Sequence, residues 1–205
     1  MGKYSEELMN KKIISPDNEI NIIDEEYVSK VPTIYSINLK EDTTFIISDS
    51  NGKICYKFTY KSISDTITIC DAKDKPLITI KKGLSSVKIL AEEGKKEFAK
   101  LKFKNSTKGH KFLMEYINKA TEKEEVLNLN CSSNYRTSGV FYGREKENAP
   151  MISRICRLSN DINLNKKFNY TIEIAPNVDN LIIIALSVYI SMKRYQDFVT
   201  TAAFI

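Results

Sequence analysis

The sequence predicts a mainly β protein: about eleven amphipathic strands closed into an antiparallel barrel around one apolar helix. Three observations lead there. Short runs of alternating apolar and polar residues recur every 8–12 residues from Pro32 to Ala175. Turn signals separate them, including Asp49-Ser-Asn-Gly52 and Asp71-Ala-Lys-Asp-Lys-Pro76. Near the C-terminus, Leu181 to Met192 reads LIIIALSVYISM and is apolar on every side. Such a helix needs protein around it. Strands with one apolar face each can supply that surrounding only by closing, which also removes sheet edges.

The elements follow in order. Residues 1–31 hold 4 Lys and 7 Asp or Glu, and they read as an acidic, partly flexible arm before a single barrel domain over 32–205. Strands are expected at 33–39, 43–48, 53–60, 65–70, 77–81, 87–91, 97–103, 126–130, 139–144, 151–158 and 168–175. In the third of these, Ile54, Tyr56, Phe58 and Tyr60 share one face. Lys111–Lys119 fits either a short helix or a strand. The helix is expected over about 178–195, with Asn177 as its cap and Asp179 at the positive end of its dipole. Its apolar stretch covers about 18 Å at 1.5 Å per residue. A bilayer core needs about 30 Å, so no transmembrane span is expected. The last residues, FVTTAAFI, read as one more strand.

Composition excludes several functions. One His, His110, leaves no general base for a Ser-His-Asp or Cys-His site, and it reads as an exposed basic residue. No phosphate-binding glycine loop, no nucleophile elbow and no C-x-x-C is present. The carboxylate pairs Asp71/Asp74 and Glu124/Glu125 fall in polar turns or charged loops. No catalytic residue, metal or other cofactor is therefore expected. Cys55, Cys70 and Cys156 fall in strand-like runs and read as buried, reduced thiols. The N-terminus lacks an apolar signal region, so a cytoplasmic or peripheral membrane location is expected.

Charge is uneven. The chain carries a formal +5, yet residues 81–111 alone hold ten Lys and three Glu. Lys81, Lys82, Lys95, Lys96, Lys100 and Lys102 are the candidate site, with Lys104 extending the row if the strand continues. Phe98 and Phe103 interleave and read as inward core. Lysines on one face attract phospholipid head groups at about 1 kcal/mol each, and the same pattern also fits a solvated face that confers solubility or one that meets an acidic protein. Nucleic acid is the weaker partner, because Lys rather than Arg does not give bidentate phosphate recognition.

Three stretches carry a resemblance to the LURP-one-related family of the tubby C-terminal-like and phospholipid scramblase superfamily. Phe45–Phe58 resembles the family's strand, D-x-x-G turn and returning strand. Ile67–Asp71 followed by Pro76–Lys82 resembles its second hairpin, and Tyr170–Asp179 with the apolar run resembles its final strand and central helix. The match covers roughly 32–195. It implies about twelve antiparallel strands around a C-terminal helix. It also implies a non-enzymatic binding module, engaging phosphoinositide or other anionic phospholipid through the Lys-rich face. A protein-interaction scaffold, with the acidic arm docking on that face, is the alternative. A scramblase-like membrane protein is a further one, weakened because no proline-rich N-terminal region or palmitoylation cluster is found.

Overall fold

The structure, a computed structural model, describes residues 2–41, 44–83, 85–91, 94, 96–158 and 169–202. Twelve strands form a closed barrel: β2 (Thr33–Glu41), β3 (Thr44–Asp49), β4 (Ile54–Lys61), β5 (Thr66–Asp71), β6 (Pro76–Lys82), β7 (Ser86–Ala91), β8 (Glu97–Lys104), β9 (Gly109–Asn118), β10 (Lys123–Ser132), β11 (Thr137–Tyr142), β12 (Met151–Arg157) and β13 (Tyr170–Ile174). Each pairs antiparallel with its neighbours in sequence, and β13 closes on β2. The ambiguous segment 111–119 belongs to strand β9. There Phe112, Met114, Tyr116 and Asn118 alternate inward against Lys111, Leu113, Glu115 and Ile117.

The two marked turns share one mechanism. Asp49 Oδ1 accepts from Asn51 N at 2.9 Å and Lys53 N at 3.0 Å, and Gly52 takes φ +80°. Asp71 Oδ1 repeats this with Lys73 N at 2.8 Å and Lys75 N at 2.9 Å. Side-chain carboxylates thus satisfy turn N–H groups that no strand can reach.

Inside lies helix α2 (Asn180–Ala202). From Leu181 to Met192 no residue exceeds 5% exposure. Inward side chains of every barrel strand enclose it, among them the stacked pair Phe45 and Phe58 with centroids 4.4 Å apart. The two serines in this stretch return their hydroxyls to the helix, Ser187 Oγ to Ile183 O at 2.8 Å and Ser191 Oγ to Val188 O at 2.9 Å. The helix outruns the expected end at 195 and reaches Ala202, over residues read as a strand. No Gly or Pro interrupts 193–202, so the hydrogen-bond ladder continues. Among the described residues no helix is long and apolar enough to cross a membrane.

The cap is Asp179, not Asn177. Asp179 Oδ1 accepts from Ile182 N at 3.2 Å, while Oδ2 accepts from Ile23 N at 2.7 Å and Ile22 N at 3.2 Å. Asn177 instead sits at φ +62°, its carbonyl accepting from Ile20 N.

These bonds hold down the N-terminal residues. The acidic segment 1–31, expected to be partly flexible, contains α1 (Lys3–Asn10), an extended stretch, and β1 (Val28–Ser29) paired with β14 (Val178–Asp179). Leu8 packs with Phe141 and Met151 on the outer barrel face. Ile20, Ile22 and Ile23 join the main core at the end where α2 begins. Isolated apolar residues in acidic sequence look soluble, yet each one here fills a site on the barrel. The cysteines also differ from expectation. Cys131 is fully buried, but Cys55, Cys70 and Cys156 are only half-buried; all four are free thiols.

Two changes should break this frame. Asp179→Ala strands three or more enclosed N–H groups at once and should cost more than about 3 kcal/mol in chemical denaturation, at roughly 1–3 kcal/mol for each unsatisfied donor. A loss below 1 kcal/mol would mean that water reaches the helix end. Gly109→Ala would place a Cβ 2.1 Å from the Cys131 carbonyl oxygen, so the β9–β10 pairing must part locally. A melting temperature at least several degrees lower is expected, and an unchanged one would refute the clash.

Candidate anionic-ligand surface

Strand register decides which lysines meet. Lys81 on β6 lies directly opposite Lys88 on β7, and Lys88 opposite Lys100 on β8. Their neighbours Ile80, Ile89, Ala99 and Leu101 face the core, so all three lysines point outward in one row across adjacent strands. Strands lie about 4.8 Å apart. Like charges directly opposite each other repel.

Carboxylates relieve part of this. Glu97 takes Lys88 at 2.7 Å, and Glu115 takes Lys102 at 2.6 Å. Among the described residues Lys81 and Lys100 have no ion-pair partner. They carry the row's free charge. Lys96 places its ammonium 5.6 Å from the Phe98 ring centre, with Lys119 at 5.9 Å from the same ring. Lys95 lies outside the described residues.

Lys82 does not join the row. Side chains alternate along a strand, so Lys82 turns opposite to Lys81, to the barrel mouth where α2 emerges. There it pairs with Asp65 at 2.9 Å. Gln196 of α2 donates to the Tyr60 hydroxyl at 2.6 Å and to Asp65 Oδ1 at 3.3 Å. Burial pushes the Asp65 carboxyl up, but the hydrogen bonds from Lys82, Gln196 and Tyr60 outweigh it and hold the group below its ordinary value. The bond to Asp65 raises Lys82 in turn.

Phe103 departs from the inward reading, while Phe98 packs against the core from a half-buried position. Phe103 is 43% exposed at the strand end, tilted over Phe112 at 5.4 Å. His110 is not a free surface group. It stacks on Tyr135 at 4.2 Å, with Nε2 3.0 Å from the Ser133 carbonyl.

The richest cationic ground was not visible from residues 81–111 alone. Beside the row, an open groove of about 670 Å³ is lined by Tyr4, Lys11, Lys108, Lys111, Glu145 and Lys146. A smaller adjoining hollow of about 360 Å³ adds Lys104 and Arg144. Six cations thus ring Glu145, whose Oε2 accepts from Asn130 at 2.7 Å, Tyr4 at 3.1 Å and Lys111 at 3.3 Å. Burial first, then Glu145, drives the Tyr4 hydroxyl far above its ordinary value, so it stays a donor. Lys11, Arg144 and Lys146 come from segments remote in sequence; only the register of β9–β11 and the docking of α1 unite them. The arm itself avoids the Lys row. Among the described residues none of its carboxylates pairs with a lysine of 81–111; Glu19 pairs with Lys30 within the arm.

A family model described as LURP-one-related matches residues 35–191. A protein from Arabidopsis thaliana solved by X-ray crystallography superposes with a TM-score of 0.59 at 18% identity, covering 82% of this chain and 95% of that one. That likeness is one of fold. No curated protein matches the chain.

The Asp65–Lys82 pair gives a pH-dependent expectation. With Asp65 depressed, its contribution is present above 3.8 and fades as pH falls through the folded value. With Lys82 raised, the contribution is complete below 10.5 and fades as pH rises through the folded value. Asp65→Asn should therefore lower stability by under about 1 kcal/mol near neutral pH, as for exposed pairs. The difference from wild type should vanish at both pH extremes. A gap that persists in strong acid would refute the pairing as its source.

Proposed function

The chain belongs to the LURP-one-related family, and from that premise we propose that it is a non-enzymatic module engaging anionic phospholipid at a membrane surface. The observation that carries the reading is the outward row Lys81–Lys88–Lys100, two of whose three lysines have no ion-pair partner among the described residues. The row continues past Lys102 into the groove bearing Lys104, Lys108 and Lys111. Flexible ammonium groups suit a surface of many mobile head groups better than one rigid ligand. Of the six candidate residues, Lys81, Lys96 and Lys100 are the contacts of this reading; Lys102 serves only if Glu115 releases it. Lys82, tied to Asp65 at the mouth, belongs to different surroundings.

The enclosure of Leu181–Met192 speaks against insertion of α2 into a bilayer, since leaving the barrel would empty the core.

Vesicle sedimentation tests the reading. Wild-type protein should bind vesicles containing phosphatidylinositol 4,5-bisphosphate or phosphatidylserine and ignore neutral phosphatidylcholine. Binding should weaken steeply with salt. The double change Lys81→Gln and Lys100→Gln removes two charges at about 1 kcal/mol each, so affinity should fall roughly thirtyfold. Equal binding to neutral and anionic vesicles, or an unaffected double variant, would overturn it.

A further inference from the structure

A second, quite different gathering of positive charge stands at the barrel mouth where α2 leaves. Arg157 ends β12 and Tyr170 begins β13, and the two are direct cross-strand partners. Arg136, in the turn between β10 and β11, receives the Arg157 backbone N–H on its carbonyl at 2.8 Å. Arg194 follows the enclosed stretch of α2 by two residues. None of the three guanidinium groups forms an ion pair among the described residues. Elsewhere on the chain arginines are matched, Arg154 with Glu173 at 3.3 Å and Arg144 with Glu147 at 3.6 Å.

Two polar groups at the centre have only each other. The Tyr170 hydroxyl and Arg157 Nε are both buried and form no hydrogen bond within the described structure. Tyr170 has 0% of its surface exposed. Buried polar groups are normally satisfied, and here the Arg157 guanidinium has the Tyr170 hydroxyl beside it and the like charges of Arg194 and Arg136 near it. Burial lowers the Arg157 pKa, Tyr170 beside it opposes that, and the charges of Arg194 and Arg136 lower it further. Burial holds the Tyr170 hydroxyl up at about 12, so it remains a protonated donor at neutral pH.

We propose that Arg136, Arg157, Arg194 and the Tyr170 hydroxyl form an oxyanion site at this mouth, and that it takes a phosphate group. The donors define the ligand. Three guanidinium groups offer planar N–H pairs and no acceptor, so the ligand must accept on several oxygens. Three positive charges with no ion-pair partner among the described residues favour a dianion over a monovalent carboxylate. Arginine supplies the fixed fork geometry that the lysine row lacks. The site is independent of the membrane reading: it lies at the end of the barrel, whereas the row lies on its flank.

Thermal denaturation of the full chain in inorganic phosphate, at constant ionic strength with chloride as the control salt, tests the assignment. Ligand that binds only the folded state raises the melting temperature progressively with its concentration. Wild type should show that rise in millimolar phosphate and none in chloride. Arg157→Gln and Arg194→Gln should abolish it, and Tyr170→Phe, which keeps the buried ring, should weaken phosphate affinity several-fold. Lys81→Gln with Lys100→Gln should leave it intact, which separates failure of this site from failure of the membrane reading. If Arg157→Gln does not fold, Arg136→Gln and Arg194→Gln carry the test from half-buried positions. Glycerol 3-phosphate and vesicles of phosphatidic acid distinguish a soluble phosphate monoester from a lipid head group by which of the two loses binding in Arg194→Gln. No rise in wild type at 20 mM phosphate, or the same rise in the arginine variants, overturns the proposal.

Discussion

A helix with no polar side must be kept from water along its whole length, and the rest of this molecule is arranged around that requirement. Leu181 to Met192 satisfies its own backbone carbonyls and N–H groups except at its start, where the first N–H groups have no partner within the helix. Water cannot be the acceptor in an enclosed end. Asp179 supplies the oxygen instead, and its burial pushes the carboxyl up against the four backbone donors that favour its charge. Because the same carboxylate also accepts from Ile22 and Ile23, it ties the N-terminal segment to the helix start. Closing the barrel end and capping the helix are therefore one event. The short β1–β14 pairing and the inward isoleucines at 20, 22 and 23 belong to it as well.

The same closure sorts the charges. An interior filled by α2 accepts none, so every lysine of β6–β9 is forced to the flank or to a strand end. Period-two alternation then lines up residues that neighbouring strands hold in register, which is how Lys81, Lys88 and Lys100 come to face one another. Glu97 and Glu115 neutralise two flank lysines, Lys88 and Lys102. That limits the repulsion and leaves the free charge at the row's two ends.

Much of the barrel was legible because its strands obey simple alternation and its turns use Asp and Gly at fixed places. The helix was legible from composition alone. What escaped the sequence was set by partners far along the chain. Ile20 and Leu8 look like stray apolar residues until Val178 and Phe141 are placed beside them. Lys111–Lys119 is short enough that helical and strand patterns both fit, and pairing with β8 and β10 decides it. Cys55, Cys70 and Cys156 lie in strands as read, but on sides that the barrel leaves half open. Among the candidate lysines, Lys81 and Lys100 fell on one face as register allows. Lys82 fell on the other, because adjacent residues on a strand cannot share a side. The groove of Lys11, Arg144 and Lys146 had no signal in any one segment.

The two cationic regions differ in the physics of what they can hold. On the convex flank, ammonium groups stand in water on long flexible stems. Their attraction is additive, screened over about 8 Å at physiological ionic strength, and indifferent to ligand shape. At the mouth, Arg157 and Tyr170 face each other across β12 and β13, the Arg136 carbonyl accepts from Arg157 N, and the charge of Arg194 on the emerging helix acts on Arg157. Partial desolvation there makes each interaction stronger and makes orientation count. Screening by added salt falls more heavily on the first region than on the second. A barrel whose centre is filled by a helix gives that space to side-chain packing. Its capacity for recognition is left to the outer face, where charge accumulates by register, and to the rim, where the helix leaves and the strand ends no longer cover one another.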